Sequence, residues 1–313
     1  MAKKSERPQT ILVTGTNGML GRPLAARLAA EGRTVIGFDL ALPPGGDPGF
    51  SVDIGDLRDS KAISTLFDRY GFDGVVHCGG ISGPMVAPNQ PLDVCAINFS
   101  ATVNLLETAR QRDVSRFVYC SSIAAYGAAA GSSPVTEDGA FRPTDVYGAT
   151  KAAGDALIHA YREEHGLNGI ALRIARVYGP GRTTTSYIRT LLEDALAGRP
   201  TRPPGDGRDS YQYVYRDDVV AALALALDAP RPPLAAYNIG NLDTTSDAEI
   251  AAITGDLISG ADIAFETTDA IQGPARQPMD IAAARRDLGF VPAGDMRAGI
   301  AAYAEWMRDK NAS

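Results

Sequence analysis

Short apolar runs alternate with longer amphipathic stretches through the first half of the chain. The runs fall at residues 11–14, 34–38, 74–77, 117–120 and 170–174, and the stretches at 19–31, 60–70, 92–112 and 147–164. Four or five consecutive apolar residues read as strands buried on both faces, and the longer stretches have the period and length of helices. Strand and helix in strict alternation predict βαβ units, hence a parallel sheet covered on both sides. After Gly179-Pro180-Gly181 the pattern loosens, and Pro and Gly cluster at 198–207 and 229–233. Beyond that point the sequence predicts a helix at 217–228, a strand at 236–239, a helix at 247–258 and a last helix at 296–307. Ser246, with Glu249 three residues on, has the form of a capping box. The expected architecture is α/β: a Rossmann-type doubly wound parallel sheet with a smaller, irregular C-terminal substrate lobe. Residues 10–175 form the first domain, with 217–240 returning to it. Residues 176–216 and 241–313 form the lobe, and 1–9 a mobile tail.

Composition narrows the function classes. The chain has 313 residues, 45% of them hydrophobic, enough for one large core or a core with a small annex. A formal net charge of −7 disfavours nucleic acid as a partner, because phosphate backbones need a basic surface. No apolar run approaches the roughly 20 residues of a membrane span. The Lys-rich start has no apolar centre and does not read as a signal peptide. Cys78, Cys95 and Cys120 lack metal-type spacing, and Cys78 and Cys120 read as small buried hydrophobes. Reduced thiols and a cytoplasmic location are therefore expected. The histidines, His77, His159 and His165, suggest no metal site.

The chemistry lies in two motifs. Gly15-Thr16-Asn17-Gly18-Met19-Leu20-Gly21 directly follows the first apolar run. Glycines there let the chain turn sharply into a helix and let the backbone approach a diphosphate, which the first helical amides then face. Asp39 ends the second run, 18 residues after Gly21. A carboxylate in that position accepts from the adenosine ribose hydroxyls and repels a 2′-phosphate. No arginine follows it, so NAD is expected rather than NADP. Asp53 ends a third short strand, either near the adenine or as a turn residue. The second motif is Tyr147 with Lys151, four residues apart and thus on one helical face. A phenol with a pKa near ~10 is a poor base at neutral pH, and a neighbouring ammonium favours its phenolate. Ser121 and Ser122 follow the apolar run 117–120, so they fall at the carboxyl end of the sheet, where one of them can hold the reacting oxygen.

The chain resembles an extended short-chain dehydrogenase/reductase of the NAD-dependent epimerase/dehydratase family, over nearly its whole length. The motifs that carry the resemblance include Thr14–Gly21, Asp39, Asp53-Ile54, His77-Cys78-Gly79-Gly80, Asn98 with Thr102, Ser121–Gly127, Tyr147–Lys151 and Leu172-Arg173 before Tyr178–Gly181. The resemblance implies Ser122, Tyr147 and Lys151 as catalytic residues. It places Gly15, Asn17, Gly18, Met19, Leu20, Gly21, Asp39, Asp53, Ile54, Cys78, Gly79, Gly80, Asn98, Tyr147, Lys151 and Val177 along NAD, with Cys78, Gly79 and Gly80 where the family usually has alanines. It assigns Ser82, Ser122, Arg176 and Tyr211 to a small-molecule substrate. It also implies a homodimer built from the helices at 92–112 and 147–164.

Departures from the family pattern sort the chemistry. Ile123 and Ala124 stand where family dehydratases carry an Asp-Glu pair; they cannot transfer protons, so a dehydratase is rejected. Arg176 and Tyr211 stand where nucleotide-sugar epimerases carry an asparagine and an arginine that grip the diphosphate, and Arg208 lies near but out of register. An epimerase holds its keto intermediate through that remote grip. Without it the keto product leaves, so the sequence favours net hydride transfer between NAD and a small sugar, sugar acid or polyol. The alternative is an NAD-dependent nucleotide-sugar 4-epimerase. Arg176 is a candidate for a substrate carboxylate or phosphate, or for a salt bridge to Asp217 or Asp218. Residues 182–186, rich in hydroxyls, line the same pocket or cap a helix. A third class, a cofactor-sensing regulator, is disfavoured because Ser122, Tyr147 and Lys151 are all present.

Overall fold

Ile11, Leu12 and Val13 are wholly buried, the signature of a strand covered on both faces. In the computed structural model, which describes residues 7–127, 133–266 and 277–312, they form β1 (Thr10–Thr14). Five further strands follow in the same half: β2 (Thr34–Asp39), β3 (Ser51–Ile54), β4 (Gly74–His77), β5 (Arg116–Ser122) and β6 (Gly169–Ile174). The second half adds β7 (Arg176–Tyr178), β8 (Ser210–Tyr215), β9 (Ala236–Ile239) and β10 (Thr244–Ser246). Among the described residues, seven strands make one parallel sheet in the order β3-β2-β1-β4-β5-β6-β9. The chain direction across the sheet reverses between β1 and β4. Connections leave that point on opposite faces, which opens a crevice beyond the carboxyl ends of these strands.

Side-chain alternation sends Ile11 and Val13 to one face and Leu12 to the other. The first face is covered by α1 (Gly21–Ala30), through Leu24, Ala25 and Leu28. The second is covered by α2 (Ser60–Tyr70), through Ile63, Leu66 and Phe67. Fully burying one such side chain is worth about 1.5–3 kcal/mol. The stretch expected as one helix at 92–112 is in fact α3 (Pro91–Cys95), a π turn at Ala96–Ser100 and α4 (Ala101–Gln111). The extra residue of a π turn shifts the register of the helix face, and such turns gather at functional positions. Next comes α5 (Val146–His165). Asp145 caps its start by accepting from the Gly148 amide at 2.6 Å, and Gly166 ends it at φ 70°.

In the second half, α6 (Tyr187–Leu196) and α7 (Arg216–Asp228) precede α8 (Asp247–Leu257), whose capping box of Ser246 and Glu249 is formed in full. Then come α9 (Ala282–Leu288) and α10 (Met296–Ala312). Helices α7 and α9 return to the large sheet, on the face covered by α1. Helices α6, α8 and α10 enclose a separate core with the three-stranded sheet β10-β8-β7, centred on Leu191, Leu192, Ile250, Ile300 and Tyr303. The tail expected at 1–9 departs from expectation at its end. Pro8 is buried against Gly74, Arg7 pairs with Asp228, and the Gln9 amide donates to Asp73 at 2.8 Å. Residues 1–6 lie outside the described residues.

One buried ion pair ties α5 to the β6–β9 side of the sheet. Arg173 on β6 donates twice to Asp155 on α5, at 2.8 and 2.9 Å, with both side chains buried. Its remaining nitrogen donates to the Tyr126 hydroxyl and the Glu137 carbonyl, both at 2.6 Å. Tyr126 donates onward to Asn238 on β9 at 2.8 Å. Removing one partner of such a pair strands a buried charge. Asp155→Ala is therefore expected to lower unfolding free energy by about 3–5 kcal/mol in urea titration. A loss under about 1 kcal/mol, the range of an exposed pair, would show that the pair holds nothing.

Candidate active site

At the carboxyl end of β1 the backbone packs on backbone. A Cβ on Gly15, which has φ +71°, would lie 2.7 Å from the Gly79 Cα and amide nitrogen. A Cβ on Gly21 would lie 2.3 Å from the Gly15 carbonyl oxygen. Both contacts are far inside van der Waals range, so these two positions admit only glycine. The helix that follows starts at Leu20 without a side-chain cap. Its first amides are left for an anion, and Gly18, Met19, Leu20 and Gly21 line a cavity of about 640 Å³. Asp39, at the end of β2, accepts from the Asn17 amide at 2.8 Å and from the Leu40 amide at 2.7 Å. Ile54 is its partner in the sheet register, and both Leu40 and Ile54 expose their side chains. A closely approached glycine turn, an uncapped helix start and a carboxylate beside exposed apolar groups fit a dinucleotide: diphosphate, ribose and adenine in turn.

The far end of the cavity is formed by β5, α5 and β6. Ser121 and Ser122 close β5, and both are buried. Ser122 Oγ accepts from the Ala124 amide at 3.2 Å, which fixes the side chain and leaves its O–H to donate. Ser121 Oγ is buried with no partner among the described residues. Tyr147 and Lys151 rise from the first turns of α5 into the same cavity. The Lys151 ammonium donates to the Cys120 carbonyl at 2.8 Å and lies 4.9 Å from the centre of the Tyr119 ring and 5.9 Å from that of Tyr147. Burial pulls the Lys151 pKa below its ordinary value. Ser122, Tyr147 and Lys151 thus line one cavity, together with Ile174, Ala175, Arg176 and Val177. Gly80, Ile81, Ser82, Gly83, Pro84 and Met85 line it as well.

Other expected residues are placed differently. Asn98, in the π turn, accepts from the Ile81 amide at 2.7 Å and donates to the Ile81 carbonyl at 3.0 Å. Its amide is thus engaged in holding the loop at Ile81. Asp53 turns to Arg69 at 3.1 Å. Arg176 forms no salt bridge with Asp217 or Asp218. Asp217 takes Arg216 at 2.7 Å, and Asp218 accepts from the Ala293 amide at 3.1 Å. Instead the Arg176 guanidinium lies 3.4 Å from the centre of the Tyr211 ring. Tyr211 therefore sits behind Arg176, and Tyr213, which the sequence did not single out, is the cavity wall. Arg208 is 88% exposed and turns to Asp206. Thr183, Thr184, Thr185 and Ser186 do line the cavity, and Ser186 also precedes α6. Arg182 joins them, with a buried Nε that has no partner among the described residues. Cys78 is half-buried and lines the cavity beside Cys120, so the two are more than core fillers.

Known proteins match this arrangement along the whole chain. The NAD dependent epimerase/dehydratase family matches residues 11–240. The chain is 29% identical to UDP-glucose 4-epimerase of Mycolicibacterium smegmatis, over 96% of this chain and 99% of that protein. Its structure is similar to that of MoeE5 in complex with UDP-glucuronic acid and NAD, with 31% identity, a TM-score of 0.85, and 96% and 99% of the two chains covered. It is also similar to UDP-glucose 4-epimerase with UDP-glucose from Thermotoga maritima, with 25% identity, a TM-score of 0.88, and 96% and 99% covered. No helix among the described residues is long and apolar enough to cross a membrane.

His77, at the end of β4, supports the site from behind. It is held between Thr14 Oγ1 at 2.7 Å and Thr102 Oγ1 at 3.0 Å. Burial, aided by the Lys151 charge, pulls its pKa down to about 3. The folded protein thus keeps this ring neutral where the unfolded chain, with a pKa near ~6.5, takes up a proton. Its contribution to stability is complete above the unfolded value and is lost as pH falls from there towards the folded value, at about 1.4 kcal/mol per pH unit. Unfolding free energy measured against pH in the acid range is expected to be less steep in His77→Asn, by one proton. Equal slopes would show that His77 is not held neutral.

Proposed function

The chain belongs to the NAD dependent epimerase/dehydratase family, and we propose that it is a nucleotide-sugar 4-epimerase. The observation that carries this reading is that Ser122, Tyr147 and Lys151 line a single cavity that also takes in the glycine turn and residues of the second lobe. Two of the relatives named above are UDP-glucose 4-epimerases matched over 99% of their own length, and they weigh for epimerisation and against the net dehydrogenation expected from the sequence.

The residues divide the work as follows. Tyr147, as phenolate, takes the proton of a sugar hydroxyl and later returns it to the same oxygen. Ser122 Oγ–H donates to that oxygen and holds it in place in both directions. Lys151 favours the phenolate through its charge and, being buried, acts through a medium that screens it little. NAD, when bound, supplies reversible acceptance of hydride. The glycine turn and α1 start hold its diphosphate, and Asp39 its adenosine ribose. Epimerisation requires the keto sugar to turn over inside the cavity while its nucleotide stays anchored. Arg182, with its unpaired Nε, and Arg176, stiffened by Tyr211, are the cations on the cavity wall suited to that anchor. They take the place of the asparagine and arginine that the sequence lacks.

A second reading rests on that same substitution. If Arg176 grips a carboxylate rather than a diphosphate, the substrate is a free sugar acid and the net reaction is its oxidation. The two are separated by incubating the purified protein with UDP-glucose, UDP-galactose or UDP-glucuronate, and separately with free sugar acids and NAD⁺. Interconversion of 4-epimers by chromatography, with no accumulation of NADH, is the expected result. NADH accumulating with a free sugar acid, and no epimer from any UDP-sugar, would overturn the proposal.

Tyr147→Phe is expected to cut turnover by about 10²–10⁴-fold, the range for losing a general acid–base group. Bound NAD, measured by release on denaturation, is expected to be unchanged. Loss of NAD together with activity would show that Tyr147 holds the cofactor and not the proton.

A further inference from the structure

Two thiols face each other in the wall of the site, and the reaction uses neither. Cys120 lies in β5 and Cys78 directly follows β4. The sheet register pairs His77 with Tyr119, so Cys78 comes opposite Cys120 on the neighbouring strand. Their sulfur atoms are 3.6 Å apart. Neighbouring strands lie ~4.8 Å apart, within the ~4.4–6.8 Å Cα separation that a disulfide tolerates. Both cysteines line the cavity. We propose that Cys78 and Cys120 are an oxidisable dithiol, which a peroxide that reaches this cavity converts to a disulfide.

The surroundings suit the chemistry. The hydrogen bond between the thiols and the nearby Lys151 ammonium draw Cys120 towards its thiolate, while the same hydrogen bond and burial push the Cys78 thiol well up. The pair thus offers one nucleophilic sulfur and one thiol to resolve it. The Cys120 thiolate attacks a peroxide oxygen; the O–O bond breaks and hydroxide leaves, taking a proton to become water. Sulfur is now sulfenic acid, oxidised by two electrons. The Cys78 sulfur attacks it, the S–S bond forms, the S–O bond breaks, and the leaving hydroxide departs as water with the Cys78 proton. The sum is two thiols and one hydrogen peroxide giving a disulfide and two waters.

The bond would act on the site at two points. The Cys120 carbonyl is the acceptor of Lys151, and Gly79, next to Cys78, packs on Gly15 and donates from its amide to Thr14. Drawing the sulfurs from their present separation to the ~2.05 Å of a bond moves both supports. A bound dinucleotide covers this wall and shields the pair.

The test is peptide mass spectrometry of the full-length protein after hydrogen peroxide, with free thiols alkylated and no reductant. The expected result is a cross-linked pair of peptides containing Cys78 and Cys120, lighter by two hydrogens, which dithiothreitol separates. Saturating NAD is expected to slow its formation. Cys95→Ser, which changes an exposed residue on α3, is expected to leave it unaltered. Cys78→Ser is expected to leave Cys120 as a sulfenic acid that a dimedone probe captures. Both thiols recovered alkylated after Cys95 has oxidised would overturn the proposal, as would oxidation of Cys78 or Cys120 singly in the unaltered protein.

Discussion

Arg173 holds the catalytic helix against the sheet, and the geometry of the site follows from how fully its charge is used. A buried cation costs several kcal/mol unless every donor finds an acceptor. Here four of the five N–H donors are used, two on Asp155 and one each on the Tyr126 hydroxyl and the Glu137 carbonyl. The guanidinium also lies 4.7 Å from the centre of the Phe141 ring and 5.1 Å from that of Tyr126. Asp155 is one helical turn beyond Lys151, so the pair sets both the rotation and the depth of α5. Tyr126 follows the short turn that starts at Ser122, so the same pair reaches the third catalytic residue through a few bonds. The three groups of the site therefore come from two elements, the end of β5 and the start of α5, that cannot shift independently.

The cofactor end is positioned by a different force. Glycine replaces side chains where Gly15, Gly21 and Gly79 stack backbone on backbone, and steric exclusion does there what ion pairing does under α5. Between these two rigid regions the Ile81 loop is tethered by Asn98, through a π turn. The second lobe has its own core and meets the cavity through Arg182 to Ile188 and Tyr213. The proposed reacting groups thus lie on the sheet domain, and the lobe and the loop supply the rest of the cavity lining. This is the division that lets one fold serve many substrates.

Legibility in the sequence followed burial. Strands such as β1 and β4 are wholly enclosed, so they appeared as uninterrupted apolar runs. Helix α2 showed as an amphipathic period, and the capping box of α8 announced itself through local hydrogen-bonding residues, whose chemistry does not need the rest of the chain. The elements of the lobe were harder. In strand β8, Ser210–Tyr215, five of six residues are polar or aromatic, and its burial at Gln212 to Val214 depends on Arg176 and β10, neither of which is near it in sequence. Helix α6 begins in a run of hydroxyl residues that reads equally as loop, and α9 is only seven residues long. The π turn at Ala96–Ser100 left no mark on the periodicity, because one extra residue shifts a helical face by less than the width of its apolar stripe.

The sequence by itself determined the βαβ architecture, the glycine turn, the carboxylate at the end of β2 and the trio of Ser122, Tyr147 and Lys151. Each is written in spacing along one or two adjoining elements, where covalent connection already sets the geometry. Only the tertiary structure decided that Arg176 stacks on Tyr211 instead of pairing with an aspartate, and that Asn98 holds a loop. It alone set Arg182 and Tyr213 as cavity walls and brought Cys78 to Cys120. These contacts join residues far apart in the chain, and which of several chemically suitable partners a side chain meets is settled by packing, not by its neighbours in sequence.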